Sequence, residues 1–215
     1  MKQTSPDENK IVLHGRVGEG MVFSHQNHEQ QFYTFSLLVA RLSGAEDQIN
    51  IVAGERVIQP VGELMPGQEV TVRGEVRTYN NRSGQGSRLV ISVFARSIVR
   101  ETGADVNRLR LSGTLCKPPI LRVTPLGRSI CDMILAVNRR YGRADYLPCI
   151  TWGSLAHRCG EMAVGDRIRL EGRFQSRAYT KVLGEQTEER TAFEVSAMEV
   201  RPVREETEEE APCEV

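Results

Sequence analysis

The chain has 215 residues, of which 40% are hydrophobic and 26% charged, and its formal net charge is zero. This length accommodates one large domain or two small ones, each with a hydrophobic core. The sequence has no apolar run of the roughly 20 residues that a membrane span needs, and its first ten residues lack the apolar segment of a signal peptide. We therefore expect a cytoplasmic protein that does not associate with membranes.

Basic and acidic residues are unevenly distributed along the chain. Residues 1–106 carry 11 Lys and Arg against 12 Asp and Glu, residues 107–204 carry 17 against 10, and residues 205–215 carry six glutamates and no base. Nearly all bases of the second half are arginines, which suit bidentate phosphate contacts and stacking on rings. A solvated Arg-rich surface would give the same count. The second half is thus a candidate binding region for a polyanion such as nucleic acid.

The first predicted strand follows a polar, disordered lead-in of residues 1–8. Residues 9–17 alternate apolar and polar side chains around Gly15, which predicts a half-buried strand that is either bent or closely approached by another backbone at the glycine. Residues 107–115 repeat this pattern around Gly113, shifted by 98 positions. The shift indicates an internal repeat.

Three further segments support the repeat. Residues 35–41 and 133–139 form a second alternating pair, and residues 67–74 and 165–172 form a third, both with the same shift of 98. The last strands, residues 87–93 and 191–197, align at a shift of 104, which predicts a last hairpin loop that is six residues longer in the second half. A loop insertion of that size costs little closure entropy, so both copies are expected to share one fold.

Each copy contains five predicted strands, with one non-strand segment between the third and the fourth. In the second copy Leu155, Cys159 and Met162 recur at helical spacing, whereas Pro60 and Pro66 interrupt the matching segment of the first copy, which predicts a short or broken helix there. Five strands with a helix after the third form the plan of the OB-fold, a small Greek-key barrel.

We therefore predict an all-β protein of two tandem OB-folds, each a five-stranded Greek-key barrel with a short helix between strands 3 and 4. The predicted boundaries are a lead-in of residues 1–8, an N-terminal barrel of residues 9–100, a linker of residues 101–106, a C-terminal barrel of residues 107–204 and a disordered acidic tail of residues 205–215.

The third predicted strand of the second copy carries unusual rings. Because residues two apart in a strand share a face, Tyr146 and Trp152 lie on one side, and Leu147, Cys149 and Thr151 lie on the other. In an OB-fold this strand belongs to the face that binds oligonucleotides. The rings either stack on nucleic-acid bases or pack in the core, and Trp152 at the strand end could plug the barrel.

Cations and further rings accompany this strand. The candidate nucleic-acid-binding residues of the second copy are Arg122, Arg128, Arg139, Arg140, Tyr141, Arg143, Tyr146, Trp152, Arg173, Arg177, Tyr179 and Lys181. The third strand of the first copy has no aromatic residue, and its candidates are Arg77, Tyr79 and Arg82 in the loop between strands 4 and 5. Phe32, Tyr33 and Phe35 are expected in the core or in an interface. Rings and arginines with few side-chain amides predict binding with weak sequence preference.

Nothing in the sequence predicts catalysis, a metal or a cofactor. The five cysteines are odd in number and include no Cys-x-x-Cys pair, and His157 and Cys159 point in different directions on a helix. There is no nucleophile elbow, phosphate-binding glycine loop or paired-carboxylate arrangement. We expect a binding protein rather than an enzyme.

The second copy resembles the bacterial single-stranded DNA-binding proteins of replication, recombination and repair. The resemblance is carried by residues 106–115, 147–156 and 165–179 and extends from residue 106 to about residue 200. It implies the family's activity, which is to bind and protect single-stranded DNA on the nucleoid. It also implies that aromatics stack on DNA bases at Tyr141, Tyr146, Trp152 and Tyr179.

Two departures from the family pattern affect the expected partners. Family members usually have one OB-fold per chain and act as tetramers, so two per chain suggest a homodimer with four barrels. The family's acidic tail usually ends in a Pro-Phe tip that binds replication and repair enzymes, whereas this chain ends in Ala-Pro-Cys-Glu-Val. The alternative function is that of a primosomal or recombination accessory protein, which acts mainly through protein partners. Barrels that serve as an adaptor for protein or RNA are a further alternative.

Overall fold

The structure, a computed structural model, describes residues 7–81, 89–183 and 186–203. In the first half, the strands are β1 (Asn9–Val17), β2 (Val22–Asn27), β3 (Gln30–Ala40), β4 (Glu46–Gly54), β5 (Glu69–Asn80) and β6 (Leu89–Arg100), and helix α1 (Glu55–Ile58) follows β4. In the second half, the strands are β7 (Val106–Leu115), β8 (Ile120–Val123), β9 (Ser129–Asn138), β10 (Ala144–Trp152), β11 (Arg167–Leu183) and β12 (Gln186–Pro202), and helix α2 (Gly153–Gly160) follows β10. A short 3-10 turn (Arg140–Gly142) precedes β10.

Each half forms a closed barrel, which confirms the prediction of two tandem OB-folds. The first barrel has the strand order β2-β3-β4-β6-β5-β1 and is closed by pairing of β1 with β3. The second has the order β7-β11-β12-β10-β9-β8 and is closed by pairing of β7 with β9. The pairs β4–β6 and β10–β12 are parallel. The same topology in both halves explains why one alternation pattern recurs along the chain.

An additional strand, β2 or β8, occupies the segment that the sequence pattern assigned to a loop between the first two strands. Within the described part of the chain each of these strands pairs with one neighbour, and all of its residues are exposed. A strand with neither face buried shows no alternation of apolar and polar residues, which is why the pattern did not predict it.

Glycines recur where backbones approach closely. A Cβ atom on Gly15 would lie 2.2 Å from the carbonyl oxygen of Leu38, and one on Gly113 would lie 2.5 Å from that of Ala136. At both positions the first strand of the barrel turns from one neighbouring strand toward the strand that closes the barrel. The close approach therefore requires glycine in both halves.

The offset predicted for the last strand is wrong by two residues. Gly74 and Gly172 lie at bulges, where their partners are Ala95 and Ala197, which are 102 positions apart rather than 104. The second hairpin is therefore longer by four residues, not six. Because side chains in a strand alternate with a period of two, a shift of two residues leaves the hydrophobic pattern unchanged and the sequence alone cannot detect it.

The two barrels are joined by antiparallel pairing of β1 with β7. Ile11 pairs with Leu109, its own equivalent in the repeat, so a pseudo-twofold axis passes through this pair. The joined strands form one sheet of 12 strands among the described residues. The two halves thus form a single unit with approximate twofold symmetry.

The core residues agree with the sequence expectations. Phe32 and Phe35 are 8% and 3% exposed, and Tyr33 packs against the core. Helix α1 ends at Ile58, shortly before Pro60, as the interrupted pattern predicted. Among the described residues, neither helix is long and apolar enough to span a bilayer.

The described cysteines are unpaired, and three of them are buried small residues of the second barrel. Burial raises the pKa of the Cys131 thiol to about 11 and also raises the pKa values of Cys149 and Cys159. These neutral thiols contribute to packing rather than to reactivity.

Candidate nucleic-acid interface

Strand β10 presents two large rings to solvent. Tyr146 and Trp152 are 52% and 42% exposed, whereas Leu147, Cys149 and Thr151 on the opposite face are at most 1% exposed. The interpretation of Trp152 as a plug of the barrel is therefore wrong. Exposed rings on an otherwise buried strand form a flat, apolar platform of the kind on which nucleobases stack.

A shallow cleft adjoins Trp152 at the end of β10. Arg128 contributes a cation to it from the turn between β8 and β9, and α2 contributes His157, whose Nε2 lies 3.0 Å from the Ser129 hydroxyl oxygen. The remaining lining residues are Gly127, Ser129, Gly153 and Ser154. The cleft therefore combines a ring for a base with a nearby cation for a phosphate.

Exposed arginines also flank the Tyr146 end of β10. Arg140 lies in the 3-10 turn before the strand, and Arg143 lies immediately after that turn. Tyr141 lies within the same turn. Because a strand rises by about 3.3 Å per residue, Tyr146 and Trp152 are about 20 Å apart. Arginines therefore lie near both ends of the platform, Arg140 and Arg143 near Tyr146 and Arg128 near Trp152.

Two candidate arginines have a different environment from the one expected. Arg139 Nε donates a hydrogen bond of 2.6 Å to Asp145 Oδ2, and Arg77 Nη1 donates one of 3.1 Å to the same oxygen. The Asp145 carboxylate is fully buried, and Arg77 also contacts Glu75. The charges of Arg77 and Arg139 are thus balanced within the protein, and both side chains join the first barrel to the second.

In the first barrel, Thr78 on β5 makes most of the contacts of this junction. Thr78 was not among the residues selected from the sequence. Its backbone N–H and its hydroxyl group donate to Asp145 Oδ1 at 2.5 Å and 3.1 Å, and its carbonyl oxygen accepts from Arg139 Nη2 at 2.9 Å. The backbone N–H of Tyr146 donates to the Thr78 hydroxyl oxygen at 3.3 Å. The hairpin strand of the first barrel is therefore docked on the start of β10.

The pseudo-twofold axis repeats the junction on the other side. Ser176 on β11 donates its N–H to Asp47 Oδ1 at 2.8 Å, and its hydroxyl oxygen accepts from the N–H of Gln48 at 3.0 Å. Arg41 pairs with Asp47 and donates to the Ser176 carbonyl oxygen at 3.2 Å. The sequence signal was available, since Arg41, Asp47 and Thr78 each have their equivalents 98 residues later.

The remaining candidates are distributed over the second barrel and the first hairpin. Arg122 pairs with Asp132, Arg177 places its guanidinium 5.9 Å from the Tyr179 ring, and Tyr79 is 54% exposed. Arg173 is partly buried, and its Nε has no hydrogen-bond partner among the described residues. Lys181 lies on β11, and Arg82 lies outside the described residues.

Sequence comparison relates the second barrel to a known family. Residues 106–203 match the model of the single-strand binding protein family. The single-stranded DNA-binding protein A of Bacillus subtilis is 34% identical over 87 residues, which are 37% of this chain and 51% of the relative. Single-stranded DNA-binding protein 2 of Listeria innocua is 35% identical over 81 residues, which are 34% of this chain and 51% of the relative. The chain thus spans about half the length of these curated relatives.

Comparison with solved structures extends the likeness in fold to both barrels. The wild-type single-stranded DNA binding protein from Thermus aquaticus has a TM-score of 0.79 at 20% identity, over 96% of this chain and 98% of that one. A deletion mutant of the same protein has a TM-score of 0.78 at 22% identity, over 97% of this chain and 100% of that one. The arrangement of two barrels in one chain is therefore shared.

Proposed function

We propose that this chain binds and protects single-stranded DNA without catalysis, since its residues 106–203 match the model of the single-strand binding protein family. The observation that carries the proposal is the pair of exposed rings, Tyr146 and Trp152, on one face of β10. Stacking on a ring contributes about 1 to 3 kcal/mol per base and accepts any base. The role is thus binding with little sequence specificity during replication, recombination and repair.

Exposed arginines support the electrostatic part of this proposal. Arg128, Arg140, Arg143 and Arg177 form no ion pair with any described carboxylate, in contrast to Arg77, Arg122 and Arg139. Their charges remain available for phosphates. Arg173 on β11 and the ring of Tyr179 complete the proposed surface, and Tyr141 and Lys181 remain candidates from their positions in the sequence. The proposed role implies a nucleoid-associated location in the cytoplasm.

Titration of the protein with oligothymidylate tests the proposal, because Trp152 is the only tryptophan of the chain. We expect quenching of its fluorescence, with an observed binding constant that falls as salt rises, by about 0.7 logarithmic units per phosphate contact and per tenfold increase in salt. Duplex DNA of matched length serves as the control. A protein whose fluorescence stays unchanged at micromolar concentrations, at low and at high salt, would contradict the proposal.

We further propose that two chains associate to present four barrels. The edge strand β8 favours a protein contact, since Ile120, Leu121 and Val123 are 61%, 43% and 66% exposed on a strand that, among the described residues, pairs with β9 alone. The same surface would suit the second candidate function, an accessory protein that acts mainly through protein partners. Partners that bind the acidic residues 205–215 are a separate proposal, since that segment lies outside the described residues.

Light scattering with and without a ~30-nucleotide strand, a length of a few OB-fold sites, distinguishes these possibilities. A molar mass of two chains supports the homodimer. A monomer that binds the strand contradicts the homodimer and leaves DNA binding intact. A protein that captures no strand at moderate salt favours the accessory role.

A further inference from the structure

We propose that the outer face of the sheet that joins the two barrels is a second nucleic-acid site, which takes the phosphate backbone of a duplex and contacts no bases. The face is formed by β5, β1, β7 and β11, which are successive neighbours in the sheet. We call it the basic face, and its cations are Lys10, Arg73, Arg108, Arg110 and Arg169. The inference goes beyond the proposed binding of single strands at β10.

The alternation of side chains along β1 assigns these cations to the outside of the molecule. Lys10 and Val12 lie on either side of Ile11, which is 1% exposed and belongs to the core. Residues that are paired across neighbouring strands share a face. Val12 is paired with Arg73 on β5 and with Arg108 on β7. Both arginines therefore project from the same outer surface as Lys10.

The register of β1 and β7 places two cations directly opposite each other. Lys10 is paired with Arg110, and their side chains are 76% and 61% exposed. Like charges at directly opposite positions destabilise a sheet. Ion pairs of 3.4 Å with Glu8 and 3.2 Å with Glu171 offset this repulsion in part. A local conflict of this kind is expected at a functional surface.

Two arginines of the basic face keep their charges available. Arg73 and Arg108 are exposed, and neither forms an ion pair with a described carboxylate. Arg73 lines a cleft of about 250 Å³ beside residues 101–104, and Glu101 lines the same cleft without an ion pair to Arg73. The planar guanidinium groups suit bidentate contacts with phosphate oxygens.

The described carboxylates on these four strands and on the residue before β1 each have a cation as neighbour. The pairs are Glu8 with Lys10 and Arg169, Glu69 with Arg16 across the strands, Glu75 with Arg77 and Arg96, and Glu171 with Arg110. Arg73 and Arg108 are therefore excess positive charge. Excess positive charge on an exposed surface attracts the phosphates of nucleic acid.

The surroundings of these cations favour a duplex as the ligand. Val12, Thr71 and Val106 line the cleft beside Arg73, and none of them offers a ring for a base. Contacts with phosphates carry no sequence information, so the surface recognises charge alone. A duplex presents one phosphate charge per about 1.7 Å of its axis, while its bases are stacked inside.

The basic face and the rings of β10 lie on opposite sides of the second barrel. Around the closed barrel the strands follow the order β7, β11, β12, β10 and β9. In a ring of five strands, β10 is opposite the boundary between β7 and β11. A duplex on the basic face therefore leaves Trp152 uncovered and does not compete for the rings.

Fluorescence anisotropy of a labelled duplex of roughly 20 base pairs, two helical turns, tests the basic face on the full chain. The test variant combines Arg73→Gln with Arg108→Gln. The control combines Arg56→Gln with Arg158→Gln, which removes the same charge from exposed positions on α1 and α2. Thermal melting verifies that both variants are folded.

We expect the wild type to bind the duplex at low salt without a change in the fluorescence of Trp152. Each phosphate contact contributes about 0.9 to the slope of log K against log salt. The test variant should therefore lower that slope by about two and weaken binding at about 0.1 M salt by at least about tenfold. The control should change the affinity by no more than about twofold.

The other outcomes overturn the proposal. If the wild type does not bind the duplex at low salt, or if both variants weaken binding equally, the basic face is not a duplex site. Tighter binding of labelled polyglutamate than of the duplex assigns the face to an acidic protein segment. If light scattering shows that the test variant alone changes the molar mass, the face is a contact between two copies of the chain.

A parallel titration with an oligothymidylate of about eight nucleotides, one OB-fold site, keeps the proposed function separate. Quenching of Trp152 should be the same in the wild type and in the test variant, because the basic face lies away from β10. If the wild type binds the duplex but shows no quenching with the single strand, the proposed function fails and the basic face stands.

Discussion

The two barrels use the same structural devices at positions 98 residues apart but expose different side chains on equivalent strands. Asp47 and Asp145 are both buried and both receive the hairpin strand of the opposite barrel. At the next position the first barrel has Gln48, whereas the second has Tyr146 with an exposed ring. Residues that recur in both copies are those that the fold requires, and the rings present in one copy mark the strand at which we propose that DNA binds.

Removal of a buried carboxylate charge at one of the two junctions should have the largest effect on the free energy of unfolding. Asp145→Asn leaves Arg139 and Arg77 without their shared partner, whereas Asp47 forms an ion pair with one arginine among the described residues, Arg41. Breaking a buried ion pair costs about 3 to 5 kcal/mol, so Asp145→Asn should lower the free energy of unfolding by about that amount and Asp47→Asn by less. Chemical denaturation measures both. Equal losses, or losses below about 1 kcal/mol, would show that the two junctions do not stabilise the protein as described.

A smaller and equal effect is expected at the two bulge glycines. A Cβ atom on Gly74 or on Gly172 would lie 2.2 Å from a backbone carbonyl oxygen, that of Phe94 or of Ser196. Gly74→Ala and Gly172→Ala should each cost about 1 to 3 kcal/mol, because the backbone has to move. Gly20→Ala, whose Cβ atom would meet its nearest neighbour at 3.5 Å, is the control. A clear difference between Gly74→Ala and Gly172→Ala in denaturant midpoint would argue against a shared scaffold.

Adding a ring to the first barrel should produce the smallest effect. Gln48 is exposed and is the equivalent of Tyr146, so Gln48→Tyr creates one new stacking surface. We expect a gain of about 1 kcal/mol, or about fivefold in affinity for single-stranded DNA, at the low end of the range for one base. Gln48→Leu adds apolar bulk without an aromatic face. If the two variants bind the labelled strand equally well, stacking is not what distinguishes the barrels.

The sequence predicted the fold because both barrels alternate buried and exposed residues with the same period. It did not predict β2 and β8, whose residues are all exposed. It also misaligned β12 by two residues, because a shift of two leaves the alternation of buried and exposed residues unchanged. Both failures concern features that leave no trace in the hydrophobic pattern.

The sequence predicted the exposure of the two rings of β10 better than it predicted the environment of the arginines. Tyr146 and Trp152 could be assigned to the outer face because their strand neighbours are apolar on the other face. Arg77, Arg122 and Arg139 were selected for their charge, but each lies against a carboxylate that the sequence does not place beside it in space. Thr78 was not selected, because its role depends on contact with residues 67 and 68 positions away, and its match to Ser176 in the repeat was the one sequence signal for it.

The most direct test of the central claim compares exposed rings in the two barrels. Tyr146→Ala combined with Trp152→Ala removes the rings of β10, and Phe23→Ala removes a ring of the first barrel that is 57% exposed. Affinity for a labelled oligothymidylate is measured by fluorescence anisotropy. We predict a loss of at least about tenfold for the β10 variant, since each base contact contributes about 1 to 3 kcal/mol, and a change within about twofold for Phe23→Ala. An unchanged affinity in the β10 variant, or an equal loss in Phe23→Ala, would contradict the claim that binding is concentrated on the second barrel.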